Sequence, residues 1–181
     1  MGSLVTLTRA QSIRQGLRTE GKTVVLTNGV FDILHVGHLR CLKAARKLGD
    51  ALFVGLNSDR SARHLKGPSR PLVPQAERAE VLCALVCVDY VTIFEELTAE
   101  HLVQALKPDV YAKGGDYAAE TIAASAGEED TTGSEVVKPL PEAPIAESYG
   151  GCVVILPYEC GHSTSRIIAG VLSMCDRARR G

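Results

Sequence analysis

The feature that most constrains the fold is a strand, a helix and a second strand in close succession between residues 23 and 56. Residues 23–27 form an apolar run that is rich in β-branched side chains and lacks polar alternation, as expected of a strand buried on both faces. The next apolar residues recur at helical spacing, at Leu39, Leu42, Ala45 and Leu48. Residues 51–56 form a second apolar run. This order predicts two parallel strands joined by a right-handed crossover.

The same alternation continues along the rest of the chain. Helices are predicted over residues 7–18, near 75–85, over 98–106 and from Ser163, and strands near 88–94, near 110–112 and over 152–156. Strands separated by helices predict an α/β fold, a Rossmann-like doubly wound parallel sheet in a single domain over residues 1–181. Residues 125–144 interrupt the pattern with Gly, Ser, Thr, Pro and an acidic cluster, which predicts a mobile surface insert.

Charge and hydropathy argue against several classes of protein. Twenty Lys and Arg residues balance 21 Asp and Glu residues, and the formal net charge of −1 disfavours a protein that grips nucleic acid or an anionic membrane through bulk charge. The sequence shows neither a signal peptide nor an apolar run approaching the roughly 20 residues of a membrane span. We therefore expect a cytoplasmic protein without nucleic-acid or membrane partners, whose six irregularly spaced cysteines are reduced thiols.

The chemistry is expected in the loops that follow the strands, because ligands of doubly wound sheets bind beyond the carboxyl ends of the strands. His35 and His38 stand after the first of the predicted strands, where a loop becomes a helix. A helix start offers unpaired N–H groups and partial positive charge, and Gly37 removes a side chain that would keep a phosphate from the backbone. Both imidazoles could donate to one phosphoryl group, with Thr27 and Asn28 lining the approach. The segment predicts a site for an anion.

Two other interpretations of the histidine pair remain open from the residues alone. Paired histidines near a helix start also occur as capping residues and as metal ligands. A metal site built on His35, His38 and Cys41 lacks a fourth ligand at a suitable spacing. We therefore predict no protein-bound metal site.

Two later loops carry related patterns. Hydroxyl residues 163–165 open the last predicted helix, where they could cap the helix or bind a second phosphate. Residues 113–117 follow a predicted strand, and their two glycines could let the backbone close on a flat ligand or form an ordinary turn. Positive charge between these loops comes from Lys66, Arg70 and Arg78.

Six ordered motifs together resemble the cytidylyltransferase-like nucleotidyltransferase superfamily. They lie at residues 27–38, 57–59, 65–67 with 69–71, 77–78, 113–117 and 163–165. The chain is most similar to the heptose 1-phosphate adenylyltransferase domains of bacterial ADP-heptose synthases, over a core of about residues 20–172. The resemblance implies a Rossmann-like homodimer that transfers AMP from Mg²⁺-bound ATP to a sugar 1-phosphate, D-glycero-β-D-manno-heptose 1-phosphate, and releases pyrophosphate.

The resemblance also implies a role for each residue of these motifs. The catalytic residues would be His35, His38 and Lys66. The nucleotide would be bound by Thr27, Asn28, Gly29, Phe31, Gly37, Lys113, Gly114, Gly115, Asp116, Ser163, Thr164 and Ser165. Asp32 and Arg78 would bind the sugar phosphate.

Three alternatives are weighed against this function. A cytidylyltransferase that acts on glycerol 3-phosphate or another alcohol phosphate would keep the mechanism and change the substrates. An ATP-sensing module would keep the phosphate sites but could dispense with the second histidine, so the presence of both favours an enzyme. A thiol redox or metal sensor would need a Cys-x-x-Cys motif or a closed set of ligands, and the sequence has neither.

Overall fold

In the residues that the structure describes, six strands form one parallel sheet with helices on both faces. The structure is a computed structural model of the chain and describes residues 1–114, 140–156 and 163–178. The strands are β1 (Ser3–Leu4), β2 (Val24–Gly29), β3 (Ala51–Asn57), β4 (Tyr90–Phe94), β5 (Val110–Gly114) and β6 (Cys152–Leu156). The helices are α1 (Leu7–Thr19), α2 (Val36–Arg46), α3 (Asp59–Lys66), α4 (Gln75–Ala84), α5 (Glu100–Leu106), α6 (Ala143–Ser148) and α7 (Thr164–Ala178).

The strand order is β1-β4-β3-β2-β5-β6, and every neighbouring pair is parallel. From β2 the chain runs outward through β3 to β4, which lies beside the edge strand β1, then returns to place β5 on the other side of β2. β2 and β5 are joined in register at Val25 with Val110 and at Leu26 with Tyr111. The order therefore reverses between β2 and β5, which is where doubly wound sheets bind their ligands.

Two apolar layers lie on opposite faces of the sheet, because successive side chains of a strand point to opposite faces. Val25 of β2 packs with α2 and α4 residues, and Leu42 and Leu82 are completely buried in this layer. Val24 and Leu26 pack on the other face against α1, α5 and α6. A strand buried on both faces explains the continuous apolar run at residues 23–27.

The predicted α/β sheet is confirmed, and most element bounds differ from the prediction by one or two residues. The strand at 152–156 has its predicted bounds. β4 begins at Tyr90 rather than at 88, because Val88 closes a turn onto Leu85 and the Asp89 carboxylate accepts from the N–H of Leu52. The hydrophobic pattern locates the elements, whereas hydrogen bonds to side chains and turns determine where they end.

The pattern missed three short elements of the described chain, β1, α3 and α6. α3 is strongly polar and buries only Ser61 and Ala62, so it lacks the apolar period that predicts a helix. Its start is fixed instead by the Ser58 hydroxyl, which accepts from the N–H of Ser61. β1 has two residues, too few for any period.

The predicted insert at residues 125–144 is wrong at its carboxyl end. Leu140 is buried in the core with α6, and Glu142 is buried and accepts from the N–H of Ala99 at 2.8 Å. The apolar residues that follow Pro141 provided a signal that the Pro and acidic composition obscured. Residues 125–139 of the predicted insert lie outside the described residues.

None of the helices within the described ranges combines the length and the apolar character that crossing a membrane requires.

Candidate active site

The candidate site lies at the carboxyl ends of β2 and β5. Thr27 is buried in β2, and the strand ends at Gly29. A Cβ at Gly29 would lie 3.1 Å from Cε2 of Phe31, so the glycine lets that ring fold back onto the strand. Phe31 itself has a φ of 48°, in the left-handed region that non-glycine residues rarely adopt. This tight loop brings the start of α2 directly beside the end of β2.

The two predicted histidines form a stacked pair at the start of α2. Their ring centroids are 3.8 Å apart with an interplanar angle of 26°, and the Phe31 ring meets the His38 ring edge-on at 5.3 Å. His35 occupies the N-cap position in extended geometry, but its side chain does not cap the helix. The first N–H groups of α2 therefore lack a side-chain cap, which leaves this helix start suited to an anion.

The His38 imidazole is neutral at neutral pH. Burial lowers the pKa of His38 from 6.5 to about 4, and the neighbouring His35 ring adds a smaller lowering effect. The Nδ1 atom of His38 is buried and has no hydrogen-bond partner in the described part of the chain. Two rings can therefore stack without repulsion, and an anion that arrives beside them would favour protonation.

A second polar cluster joins the ends of β2 and β5. The Oδ1 atom of Asn28 accepts from the Tyr111 hydroxyl and from Nζ of Lys113, both at 2.7 Å. Burial lowers the pKa of Lys113, an effect opposed by the nearby Glu142 and Cys41. The sequence motifs include Asn28 and Lys113 but not Tyr111. The available signal was strand periodicity, which places residues 111 and 113 on one face of β5.

Gly114 allows β5 to approach α2 closely. A Cβ at this position would lie 2.6 Å from Sγ of Cys41, which is one turn beyond His38 in the helix. Burial raises the pKa of Cys41, so this thiol is a packing group at neutral pH. Gly114 thus lies beside α2, and its contact with the nucleoside stays a prediction.

The hydroxyl cluster opens α7 beside the histidines. The Ser163 hydroxyl accepts from the N–H of Arg166 at 3.2 Å, and the Thr164 hydroxyl donates to the Ile33 carbonyl at 3.4 Å. A cavity of about 350 Å³ separates His35 from this helix. Its lining consists of His35, Ser163, Arg166, Ile167, Gly170, Val171 and Met174. The structure therefore brings the first and last predicted anion sites together, while Ser163 also serves as a helix cap.

Asp32 is bound to protein groups rather than open to a ligand. Its carboxylate is buried, and it accepts from Nη1 of Arg70 at 2.6 Å and from the N–H groups of Leu72 and Val73 at 2.7 and 3.0 Å. These contacts hold the segment before α4 against the loop that follows β2. The geometry favours a positioning role for Asp32 over the predicted contact with the sugar phosphate.

Arg78 has the same kind of environment. Its guanidinium is completely buried and donates to the Asn57 carbonyl at 2.9 Å and to Oδ1 of Asp59 at 2.7 Å. Further bonds go to the carbonyls of Val30 and Val73. The side chain thus links the loop after β2, the end of β3 and the start of α4. These contacts do not favour the predicted direct role at the sugar phosphate.

The remaining predicted residues are less closely joined to the site. Lys66 is exposed in the last turn of α3, and its ammonium has no hydrogen bond or ion pair within the described ranges. Ser165 is exposed in the first turn of α7, whereas Gly37 lies in the first turn of α2. Gly115 and Asp116 lie outside the described residues.

Among the residues described, no group of three or more His, Cys, Asp or Glu side chains is arranged to hold a metal ion.

Comparison with known families and curated proteins adds an independent observation. The family model described as cytidylyltransferase-like matches residues 26–170. The chain is 47% identical over 174 residues to the bifunctional protein HldE of Syntrophotalea carbinolica, an alignment that covers 94% of this chain and 31% of that protein. It is 46% identical over 153 residues to the bifunctional protein HldE of Streptomyces coelicolor, covering 84% and 29%. The chain thus spans less than a third of the length of these relatives.

Solved structures show a related fold. A lipopolysaccharide core biosynthesis protein from Thermoplasma volcanium superposes with a TM-score of 0.54 at 28% identity, covering 77% of this chain and 98% of that one. The pantoate-beta-alanine ligase of Francisella tularensis gives the same TM-score at 11% identity, covering 91% and 69%, a likeness of fold alone.

Proposed function

Since the chain belongs to the cytidylyltransferase-like family, we propose that it transfers AMP from ATP to a sugar 1-phosphate, specifically D-glycero-β-D-manno-heptose 1-phosphate, with release of pyrophosphate. The observation that carries the proposal is the stacked pair of His35 and His38 at the start of α2, beside the switch point of the sheet. The identity of 47% to a bifunctional HldE protein supports the heptose acceptor. The likeness to a lipopolysaccharide core biosynthesis protein also favours a sugar, since such cores are built from sugars.

The reaction follows from the charge of the acceptor. A phosphate oxygen of the sugar 1-phosphate attacks the α-phosphorus of ATP in line, one new P–O bond forms, and the bond to the pyrophosphate group breaks. The attacking phosphomonoester is already anionic at neutral pH, because its second pKa is near 6. A general base is therefore unnecessary. This matches the placement of Asp32, whose two carboxylate oxygens are taken by Arg70, Leu72 and Val73.

The chain's own contribution is positioning and charge stabilisation, which nucleotidyl transfer needs more than covalent help. His35 and His38 would donate to the phosphoryl oxygens as negative charge develops there. The uncapped start of α2 adds backbone N–H donors on the same side. Asn28 and Lys113 add two further donors from the sheet. The hydroxyl of Ser163, which lines the cavity, and that of the adjacent Thr164 would complete the proposed phosphate site.

Magnesium enters this proposal as part of the substrate. Mg²⁺ is commonly held by one or two carboxylates together with the phosphates of the nucleotide. The described residues offer no cluster of three potential ligands, and the Asp32 carboxylate is bound to protein donors. The residues at the site thus fit Mg²⁺ that arrives with ATP, where it would neutralise phosphate charge.

Assembly and location complete the proposal. Support for a homodimer comes from apolar side chains that α7 exposes, namely Ile167, Val171, Leu172 and Met174. Support for a cytoplasmic location comes from the nature of the donor substrate, since ATP is made and used in that compartment.

The decisive experiment measures pyrophosphate release from MgATP and MgCTP with a panel of acceptors. We expect ADP-heptose and pyrophosphate from MgATP with heptose 1-phosphate, and neither product from free heptose. Formation of ADP and a newly phosphorylated sugar from free heptose would contradict nucleotidyl transfer. Activity restricted to CTP and glycerol 3-phosphate would replace the substrates and retain the mechanism. Binding of ATP without turnover on any acceptor would instead identify a nucleotide sensor.

A further inference from the structure

We propose that Tyr111 is a positioning residue, which fixes the Asn28 amide so that Asn28 and Lys113 act as a pair of donors for the phosphates of the nucleotide. This inference rests on the proposed function, because it takes the anion of this site to be a nucleotide.

The hydrogen bonds at Asn28 determine the orientation of its amide. An amide oxygen has two lone pairs, and Oδ1 of Asn28 already accepts two bonds of 2.7 Å, from the Tyr111 hydroxyl and from Nζ of Lys113. Rotating the amide by half a turn would set Nδ2 against the Lys113 ammonium, donor against donor. The observed orientation is therefore the stable one. It leaves only the N–H groups of Nδ2 to meet a ligand.

The sheet holds the three side chains in place. Tyr111 pairs with Leu26 across the two strands, and Asn28 and Lys113 each lie two residues further along, so all three share one face. Tyr111 is completely buried, which restrains its ring and its hydroxyl. On the other side of Asn28, β3 contributes Gly55, where a Cβ would lie 3.1 Å from Cβ of Asn28 and would collide with Leu102. Of the two side chains that bond the Asn28 oxygen, Tyr111 is therefore the completely buried and rigid one, which fixes where the amide lies.

The polarity of the cluster indicates which ligand it suits. The Lys113 ammonium can only donate, and its Nζ lies 3.5 Å from the Tyr111 oxygen as well as 2.7 Å from Asn28. With its oxygen occupied, the Asn28 amide can also only donate to a ligand. Two donors beside the start of α2 match phosphate oxygens and would repel a cation or another donor. Removing the Tyr111 hydroxyl frees one lone pair of Oδ1 and leaves the amide held only by the flexible Lys113 side chain.

The test is a double-mutant cycle on nucleotide affinity. Tyr111→Phe keeps the buried ring and removes only the hydroxyl, Asn28→Ala removes the amide, and the third variant carries both changes. The control is Tyr90→Phe at the opposite, amino end of β4, where the Tyr90 ring packs on Phe53. Affinity for α,β-methylene-ATP with Mg²⁺ is measured by calorimetry. For each variant, kcat and KM for ATP are measured with heptose 1-phosphate, together with the melting temperature.

If Tyr111 acts through Asn28, Tyr111→Phe weakens analogue binding about tenfold in the wild-type background and changes it little in the Asn28→Ala background. KM for ATP rises in parallel, and Tyr90→Phe leaves both quantities unchanged. Equal effects of Tyr111→Phe in the two backgrounds, or wild-type affinity in the single variant, would overturn the inference. In that case the proposed function would still stand if the wild type transfers AMP to heptose 1-phosphate. A wild-type chain that binds no nucleotide would overturn both.

Discussion

At the scale of the residue, the stacked imidazoles show how two histidines can lie in contact beside an anion site without repelling each other. The rings are 3.8 Å apart, and burial holds the pKa of His38 at about 4. At neutral pH the His38 ring is therefore uncharged until an anion arrives. The histidines can then stabilise the negative charge that develops in the transition state more than they stabilise the ground state.

The low pKa of His38 predicts acid sensitivity. Below its ordinary pKa of 6.5, the unfolded chain takes up a proton that the folded chain does not bind until the pH approaches 4. The free energy of unfolding should therefore fall by about 3 kcal/mol between pH 7 and pH 4 on account of this residue. Urea unfolding across this pH range measures it. His38→Asn should flatten the dependence, whereas the exposed His64→Asn should not; identical slopes in the wild type and His38→Asn would contradict the assignment.

Catalysis should depend on both rings. Replacing His35 or His38 by Asn should lower kcat by about 10²-fold, because each removes a donor to the charge that develops in the transition state. Circular dichroism and the melting temperature check that the variants remain folded, and His64→Asn serves as the matched surface substitution. Full activity in either variant would exclude that ring from the mechanism.

The sequence alone was sufficient for some site residues and not for others. Thr27, Asn28, His35 and His38 could be placed because they lie at the end of a buried strand or at the helix start that follows it. The partners of Asp32 and Arg78 could not, because they come from segments that only the folded chain brings near. A charged residue of this kind has the same appearance in a sequence whether it binds a ligand or binds the protein.

At the scale of the element, the loops around the site are held by buried charge. Arg78 of α4 binds the carbonyls of Val30, Asn57 and Val73 and the carboxylate of Asp59. α3 and the start of α4 have few buried apolar residues at this edge, so hydrogen bonds take over the role that packing has elsewhere. Because α3 has so few buried apolar residues, apolar periodicity did not predict it, although the same criterion located α2, α4 and α5.

Arg78→Met should therefore be strongly destabilising. The substitution keeps an unbranched chain of similar reach but leaves the Asp59 carboxylate and three carbonyls without their donor, at a cost of about 3 kcal/mol. The midpoint of urea unfolding should fall accordingly, and Arg63→Met on the exposed face of α3 should leave it within experimental error. An unchanged midpoint for Arg78→Met would show that these bonds do not restrain the loops.

At the scale of the whole molecule, the sheet was the most predictable feature. Uninterrupted apolar runs such as residues 51–56 imply strands covered on both faces, and helices between them imply parallel pairing. The strand order was not predictable at the edge, because β1 has only two residues and pairs with β4 rather than with its neighbour in sequence. The packing of residues 140–144 was also missed, because their composition resembles that of a loop while Leu140 contacts a distant core.

The reversal of strand order has a consequence for the timing of assembly. Asn28 and Tyr111 are 83 residues apart in the chain, and their contact closes a long loop at an entropic cost that nearby strand pairs avoid. A nascent chain that has not yet supplied β5 contains both histidines but lacks Lys113, so on the proposed function it offers a nucleotide only part of the site. ATP binding therefore stabilises the complete chain more than any shorter intermediate, because only the complete chain has the full nucleotide site.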